Sequence, residues 1–133
     1  MVVCLDSDFI IDLLKAMPLA VDLFKKYKDS EELITTEVNK FEIFSGIYLK
    51  KDINKQEKLV ASEFFDALSV LPFDGECGEI AAQIYAALSK SGAIIGHSDI
   101  FISAIMKKNG CLNIITRNKE HFLRISGIKV IDY

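Results

Sequence analysis

The stretch VVCLDSDFII, residues 2–11, decides the fold. Its first four residues are apolar without polar alternation, which is typical of a strand in a sheet covered on both faces. Asp6 comes directly after this strand, and a second acid, Asp8, follows two residues later. Phe9–Lys15 then has the pattern of a helix that ends before Pro18. A buried strand that leads into two acids and a helix predicts an α/β fold with polar groups at a strand end.

Short β-prone runs recur along the chain, and helical patterns separate them. The further strand candidates are residues 33–35, 69–73, 113–116 and 129–133. Helical patterns cover residues 19–27, 41–49, 55–68, 77–88 and 99–110, the last ending at Gly110. Strands that alternate with helices predict a three-layer α/β/α sandwich around a central parallel sheet of about five strands.

The composition is typical of a soluble globular protein. The chain has 133 residues, half of them hydrophobic, and we expect residues 1–133 to form a single domain. No apolar run approaches the roughly 18 residues of a membrane helix, so we expect a cytoplasmic protein with no membrane contact. The three cysteines lie among apolar neighbours and are interpreted as buried thiols. The net charge of −3 excludes a general basic surface, so any contact with nucleic acid must be local.

Two polar residues mark strand ends that are expected to meet. Asp6 follows the first strand and Asn118 follows the fourth. In open parallel sheets, ligands bind beyond the carboxyl ends of the strands, where the strand order reverses. If the first and fourth strands are neighbours at that reversal, the side chains of Asp6 and Asn118 share one cleft.

Four positions are candidates for chemistry, and each also has a structural explanation. Asp6 suits a helix N-cap, and Glu42 suits an exposed helix face. Asp99 opens a helix, where an acid complements the helix dipole, and Asn118 suits a turn. The helix after Asp99 is apolar nearly all round, which predicts burial. A carboxylate that leads into a core needs a partner or a cation.

Taken together, four motifs resemble the PIN-domain nucleases, and more narrowly the VapC toxin ribonucleases of toxin–antitoxin pairs. They are the apolar strand ending D-S, a helix with a lone Glu between apolar residues, I-G-x-x-D opening an apolar helix, and T-R-N-x-x-H-F after a short strand. The resemblance covers almost the whole chain, from CLDSDFIIDLL to RISGIKVIDY.

The resemblance implies a metal-dependent endoribonuclease that is held inactive by a VapB-type antitoxin and forms a homodimer. By that resemblance Asp6, Glu42 and Asp99 bind the metal, and Asn118 holds the fourth catalytic position. Two residues depart from the family pattern. Asp8 stands where relatives usually have Asn or a small polar residue, and Asn118 stands where many have an acid. Reduced or lost activity is therefore an alternative.

Electrostatics favours a metal independently of the resemblance. Two carboxylates about 4 Å apart repel by roughly 4 kcal/mol at an effective dielectric of 20, so converging acids need protons or a cation. Ligands that are all oxygens suit Mg²⁺ or Mn²⁺, as one or two ions, rather than zinc. The cation would polarise a phosphodiester and activate water for attack, without a covalent enzyme intermediate.

Five further residues are predicted to lie at or near the cleft. Ser7 is a candidate to hydrogen-bond a ligand or phosphate, with a helix cap as the alternative. Arg117 is a candidate for a forked phosphate contact, and Lys40 for a weaker one. We expect His97 to be a loop residue beside the site, and His121 to make a structural contact after the fourth strand.

Three other functions are consistent with parts of the sequence. The D-S-D motif is similar to the D-x-D nucleophile of haloacid-dehalogenase-type phosphatases, although 133 residues leave little room for the cap of that class. A receiver domain would need a phosphorylated Asp after the third strand, where Asp74 is the candidate. An inactive PIN-like module that only binds RNA or a partner is the alternative outside the enzymes.

Overall fold

The computed structural model describes all residues from Met1 to Tyr133. The strands are β1 (Val2–Leu5), β2 (Glu32–Thr36), β3 (Ser69–Leu71), β4 (Asn113–Ile115) and β5 (Lys129–Ile131). The helices are α1 (Ser7–Leu14), α2 (Pro18–Lys28), α3 (Glu37–Tyr48), α4 (Lys55–Asp66), α5 (Cys77–Lys90), α6 (His97–Lys108) and α7 (Lys119–Leu123). Helices therefore separate all of the strands, as the alternating pattern predicted.

The sheet is entirely parallel, with the strand order β3-β2-β1-β4-β5. Cys4 of β1 is aligned with Ile34 of β2 on one side and with Ile114 of β4 on the other. The chain extends the sheet outward from β1 to β3 and then crosses back to place β4 beside β1. The first and fourth strands are thus neighbours at the reversal, where a parallel sheet opens a crevice at its carboxyl end.

Two apolar clusters cover the two faces of the sheet. Cys4 and Ile114 point into one cluster, which includes residues of α5, α6 and α7. Val3, Leu5 and Ile115 point into the other, which includes residues of α1 to α4. Successive strand residues alternate between the faces, and both faces bury them, which confirms the three-layer arrangement. None of the seven helices combines the length and the apolar character needed to cross a membrane.

The structure differs from the sequence prediction at several element ends. The third strand ends at Leu71 rather than at residue 73, because Pro72 has no N–H to donate to a strand ladder. α6 begins at His97, so the prediction that this residue lies in a loop is wrong. The short helix α7 was not predicted. Its five residues are too few for a helical periodicity to be visible.

Gly110 ends α6, as predicted. Its φ of +69° lies in the left-handed region that favours glycine. The N–H of Gly110 donates to the carbonyl of Lys107, at 3.2 Å, and the N–H of Cys111 donates to that of Met106, at 2.9 Å. This pair of bonds satisfies two carbonyls at the helix end and turns the chain toward β4.

Candidate active site

Asp6 lies at the carboxyl end of β1, beside β4. Its backbone N–H donates to the carbonyl of Ile115, at 3.1 Å, so pairing with β4 continues one residue beyond β1. Its side chain caps α1, because Oδ1 accepts the N–H of Ser7 at 2.8 Å. Oδ2 accepts the hydroxyl of Thr116 at 2.6 Å. The residue is only 5% exposed, so the cap is also a buried carboxylate at the sheet edge.

Asn39 is a buried amide on α3 that contacts the same carboxylate. Its Nδ2 donates to Oδ1 of Asp6 and to Oγ of Ser7, at 3.0 Å each. Its Oδ1 accepts the hydroxyl of Thr36 at 2.7 Å, and the Thr36 oxygen accepts the N–H of Asn39 at 3.2 Å as the N-cap of α3. The cap therefore fixes the orientation of the amide, with its nitrogen toward Asp6.

Glu42 follows Asn39 by one turn of α3 and reaches the same place. The hydroxyl of Ser7 donates to Oε1 of Glu42 at 2.7 Å. Ser7 thus accepts a hydrogen bond from Asn39 and donates one to Glu42, which links α1 to two residues of α3 through a single hydroxyl. Ser7 meets Glu42 directly, in addition to its place in the first turn of α1.

Asp99 lies in the first turn of α6 and meets two residues that follow β4. Its Oδ2 accepts Nδ2 of Asn118 at 2.8 Å and lies 3.0 Å from Nδ1 of His121. Nδ2 of Asn118 is also 3.0 Å from Nδ1 of His121. The side chain of Asp99 is 16% exposed. Asn118 therefore presents its amide nitrogen to this acid.

The acids of the site perturb one another. Burial raises the pKa of Asp6 to about 7; the hydrogen bond from Thr116 opposes this increase, and the charges of Asp8 and Asp99 add to it. Burial also raises the pKa of Glu42, the hydrogen bond from Ser7 opposes the increase, and Asp99 and Asp8 again add to it. Asp8 and Asp99 therefore lie close enough to Asp6 and Glu42 to disfavour the charged forms of those two carboxyl groups.

A family comparison agrees with this geometry. The family model described as PIN domain matches residues 3–128. The chain belongs to the PIN domain family.

Curated relatives of this PIN domain carry VapC names. Ribonuclease VapC2 of Haemophilus influenzae is 24% identical over 125 residues, which cover 94% of this chain and 92% of the relative. The tRNA(fMet)-specific endonuclease VapC of Salmonella typhimurium is 32% identical over 97 residues, which cover 67% of this chain and 73% of the relative. The predicted resemblance to VapC-type PIN domains is thereby confirmed.

Two solved structures of similar fold are DNA-bound VapBC complexes. The VapBC2 structure from Rickettsia felis, bound to a promoter DNA fragment, has a TM-score of 0.89 at 17% identity, covering 100% of this chain and 99% of the other. The DNA-bound VapBC structure from Salmonella typhimurium has a TM-score of 0.86 at 23% identity, covering 99% and 98%. These likenesses show that the chain has the PIN fold.

Asp8, Arg117 and Lys40, which the sequence placed at or near the site, differ in the contacts that they make. Asp8 faces the end of β4, where its Oδ2 accepts the N–H of Arg117 at 2.9 Å, so it adds charge beside the site. The guanidinium of Arg117 pairs with Asp12 at 3.2 Å and lies over the ring of Tyr133, 5.8 Å from its centre. Lys40 is half-buried and forms no ion pair. In this conformation no basic side chain other than His121 contacts the candidate acids.

The two histidines do not follow the prediction closely. His121 does make a contact after β4, but its partner is Asp99 itself. His97 is the first residue of α6, where its ring packs against the rings of Tyr85 and Phe101, with centroids 5.8 and 6.0 Å away.

Asp74 is the residue that a receiver domain would phosphorylate. In the structure it forms an ion pair with Lys108 and does not lie among the candidate acids.

The sequence analysis missed the residues that orient Asp6. Asn39 was not named, although its spacing of three residues from Glu42 places both on one face of α3. Thr116 was present in the T-R-N-x-x-H-F motif but was assigned no contact. A polar residue one turn from a candidate ligand, and a hydroxyl directly before Arg117, are the signals that point to these two residues.

The donor set of this PIN domain suits a hard divalent cation. All the candidate ligands are oxygens, and Oε2 of Glu42 and Oδ1 of Asp99 accept no hydrogen bond from the protein. Burial and, to a smaller degree, the neighbouring acids raise the pKa values of Asp6 and Glu42, so the ionised carboxylates would be stabilised by a cation. No group of three His, Cys, Asp or Glu side chains is close enough to enclose an ion, so ligation requires the carboxylates to approach one another.

Thr36→Ala is expected to lower the free energy of unfolding by about 1 kcal/mol, as is usual for the loss of an N-cap side chain. Thr36→Ser keeps the hydroxyl and should retain most of that stability. Urea denaturation followed by circular dichroism measures both variants. Equal stability of Thr36→Ala and the wild type would show that the hydroxyl contributes nothing to the cap of α3.

Proposed function

We propose that this PIN domain is a metal-dependent endoribonuclease that hydrolyses phosphodiester bonds in RNA, with Asp6, Glu42 and Asp99 as the ligands of Mg²⁺ or Mn²⁺. The observation that carries the proposal is the buried carboxyl group of Asp6 at the reversal of the sheet, where the charges of Asp8 and Asp99 also act on it. The ribonuclease names of the curated relatives support RNA as the substrate class. Residues 1–133 then act as one nuclease domain.

The proposed mechanism assigns an orienting partner to each acid. Asn39 and Thr116 hold the two oxygens of Asp6, and Ser7 holds Oε1 of Glu42. The chemistry that a bound Mg²⁺ or Mn²⁺ would supply is Lewis-acid activation of a phosphodiester and of water. The hydroxyl of Ser7 lies beside these acids, but it donates its proton to Oε1 of Glu42 and is assigned a positioning role. Hydrolysis is assigned to direct attack of water, without a covalent enzyme intermediate. Asp8 adds negative charge that favours a divalent over a monovalent cation.

Arg117 and Lys40 are proposed to bind substrate phosphate. Arg117 is anchored next to the site through its backbone N–H on Asp8. Its guanidinium is exposed and lies 3.2 Å from the Asp12 carboxylate, which is only 16% exposed and also accepts the hydroxyl of Tyr133. Contact with a phosphate requires the guanidinium to exchange this carboxylate for the phosphate, which can accept the same forked hydrogen bonds.

We further propose that the chain is the toxin of a VapBC-type pair and binds a VapB-type antitoxin. The support is that the similar structures are VapBC complexes and that the curated relatives are VapC proteins. A groove of about 590 Å³ between α1, α3 and α4 has Glu42 in its wall and Ile11, Ile47 and Val60 along its lining. A partner helix seated there would cover Glu42. Homodimer formation and a cytoplasmic location remain predictions from the sequence.

The test is cleavage of labelled RNA by the purified protein under metal titration. Cleavage is expected with Mg²⁺ or Mn²⁺ and should disappear in excess chelator, because the acids alone cannot activate a phosphodiester. Single-stranded DNA of the same sequence and a small phosphate ester are the substrate controls. Cleavage that survives complete chelation would contradict the proposed site.

The same assay separates the alternatives. A haloacid-dehalogenase-type phosphatase should release phosphate from the small ester and leave RNA intact. An inactive module should bind RNA or a partner without cleaving anything. Only an endoribonuclease should produce internal RNA fragments in a metal-dependent way.

A further inference from the structure

One corner of the site consists of three polar atoms from three different side chains. Oδ2 of Asp99, Nδ2 of Asn118 and Nδ1 of His121 form a triangle with sides of 2.8, 3.0 and 3.0 Å. Asn118 and His121 reach Asp99 from the same side, because α7 begins between them and brings residues three apart together. Neither the acid-based assignment nor the family resemblance gives His121 a role.

Apolar packing fixes the position of the helix that carries His121. Phe122, next to His121, is fully buried in the apolar cluster that also contains Ile100 and Ile102 of α6. α7 is therefore fixed against the helix that carries Asp99. The side chain of His121 is 39% exposed, so its outer edge faces solvent while Nδ1 faces the acid.

Hydrogen-bond chemistry limits the possible donors in the triangle. A carboxylate only accepts, so the contact between Nδ1 of His121 and Asp99 is a hydrogen bond in the tautomer that carries a proton on Nδ1. In the other tautomer Nδ1 accepts the N–H of Asn118 instead. Asn118 likewise turns its NH₂ group to the acid, since its carbonyl oxygen would repel it. With Nδ1 protonated, two N–H groups converge on Oδ2, and Oδ1 of Asp99 receives no hydrogen bond from the protein.

We propose that His121 is a positioning residue which, together with Asn118, holds Oδ2 of Asp99 so that Oδ1 is presented to the divalent cation. The inference rests on the proposed function and adds to it the residue that orients one ligand. Groups that hydrogen-bond a metal ligand fix its orientation, and their loss typically costs about 10- to 100-fold in metal affinity or activity. Asn118 then acts through its N–H rather than as an oxygen ligand.

A matched pair of amide substitutions tests whether Nδ1 of His121 is the atom that holds Asp99. In His121→Asn the amide nitrogen lies as many bonds from Cα as Nδ1 does, whereas in His121→Gln it lies one bond farther, at the position of Nε2. We expect His121→Asn to keep Mn²⁺ affinity close to the wild type. His121→Gln should lose about 10- to 100-fold. Glu120→Gln, which changes only an exposed partner of Arg124 on the same helix, is the control and should not alter Mn²⁺ affinity.

Mn²⁺ affinity is measured by electron paramagnetic resonance on the protein without RNA, and RNA cleavage is measured separately. For both His121→Gln and the wild type, kcat and KM are determined at saturating Mn²⁺. If His121 acts through the ligand, raising the Mn²⁺ concentration should recover most of the kcat of His121→Gln. If the imidazole itself transferred a proton, His121→Asn would lose as much activity as His121→Gln, and the proposal would be wrong.

The metal-free wild-type protein provides a test that needs no substitution. The ¹⁵N shifts of the His121 ring are expected to show a proton on Nδ1, with His97 as the internal reference. A ring protonated only on Nε2 would overturn the proposal, because Nδ1 could then not donate to Asp99.

The outcomes also distinguish this inference from the proposed function. A wild-type protein that binds no Mn²⁺ and cleaves no RNA would contradict both the proposed function and the positioning role of His121. A wild-type protein that does both, with His121→Gln indistinguishable from it, would overturn only the positioning role.

Discussion

Asp6→Asn and Asp99→Asn are each expected to reduce RNA cleavage by more than about 100-fold, because even the partners of metal ligands are worth about 10- to 100-fold. Each substitution removes a negative charge from the cluster and leaves a side chain of nearly the same size. An Asn oxygen can still accept the N–H of Ser7 as the cap of α1. Loss of activity with a retained fold is therefore the expected combination.

The matched control is Asp66→Asn, the same chemical change at an exposed residue that ends α4. Its activity should equal that of the wild type. Cleavage assays and circular dichroism are run on all three variants. If the site variants lost activity only in proportion to lost folding, Asp6 and Asp99 would be structural caps and the metal assignment would be wrong.

The position of the site was accessible from the sequence because it depends on few and local features. An unbroken apolar strand directly before Asp6, and a second short strand before Asn118, define two carboxyl ends of a parallel sheet. A single topological condition, the pairing of β1 with β4, then brings the two ends together. The strands alternate with helices, so this condition follows from the commonest way of building such a sheet.

The contacts within the site were less predictable because they join segments remote in sequence through single hydrogen bonds. His121 meets Asp99 only because the five-residue helix α7 turns it back toward α6, and so short a helix has no readable periodicity. Arg117 was expected to face a phosphate, yet Asp12 and Tyr133 hold its guanidinium. The pattern of apolar and polar residues assigns such side chains to a helix or a strand, but it does not identify the residues that they contact.

The stability of the metal-free protein is expected to fall as the pH rises from about 4 to about 7. The pKa of Asp6 is raised from 3.8 to about 7 in the folded protein, chiefly by burial. Between these values the folded state binds a proton that the unfolded state has released, so the unfolding free energy decreases as the pH increases. The raised pKa of Glu42 acts in the same direction.

The size of this effect follows from linkage. A difference of about three pH units between the folded and unfolded pKa corresponds to roughly 4 kcal/mol, which is an upper bound for Asp6. Urea denaturation in chelator at several pH values measures it. Asp6→Asn removes the titrating group and should make the profile flatter, with higher stability than the wild type above pH 7, whereas Asp66→Asn should follow the wild-type profile.

Addition of Mn²⁺ should reverse the trend, because a cation that binds only the folded, deprotonated site stabilises it increasingly as the pH rises. The wild type is then expected to gain stability from Mn²⁺ at pH 7 to 8 and little at pH 4 to 5, where Asp6 carries its proton. Asp6→Asn should gain much less at any pH. A metal-free wild type whose stability rose from pH 4 to 7 would mean that Asp6 ionises without penalty, and the electrostatic case for a cation would then disappear.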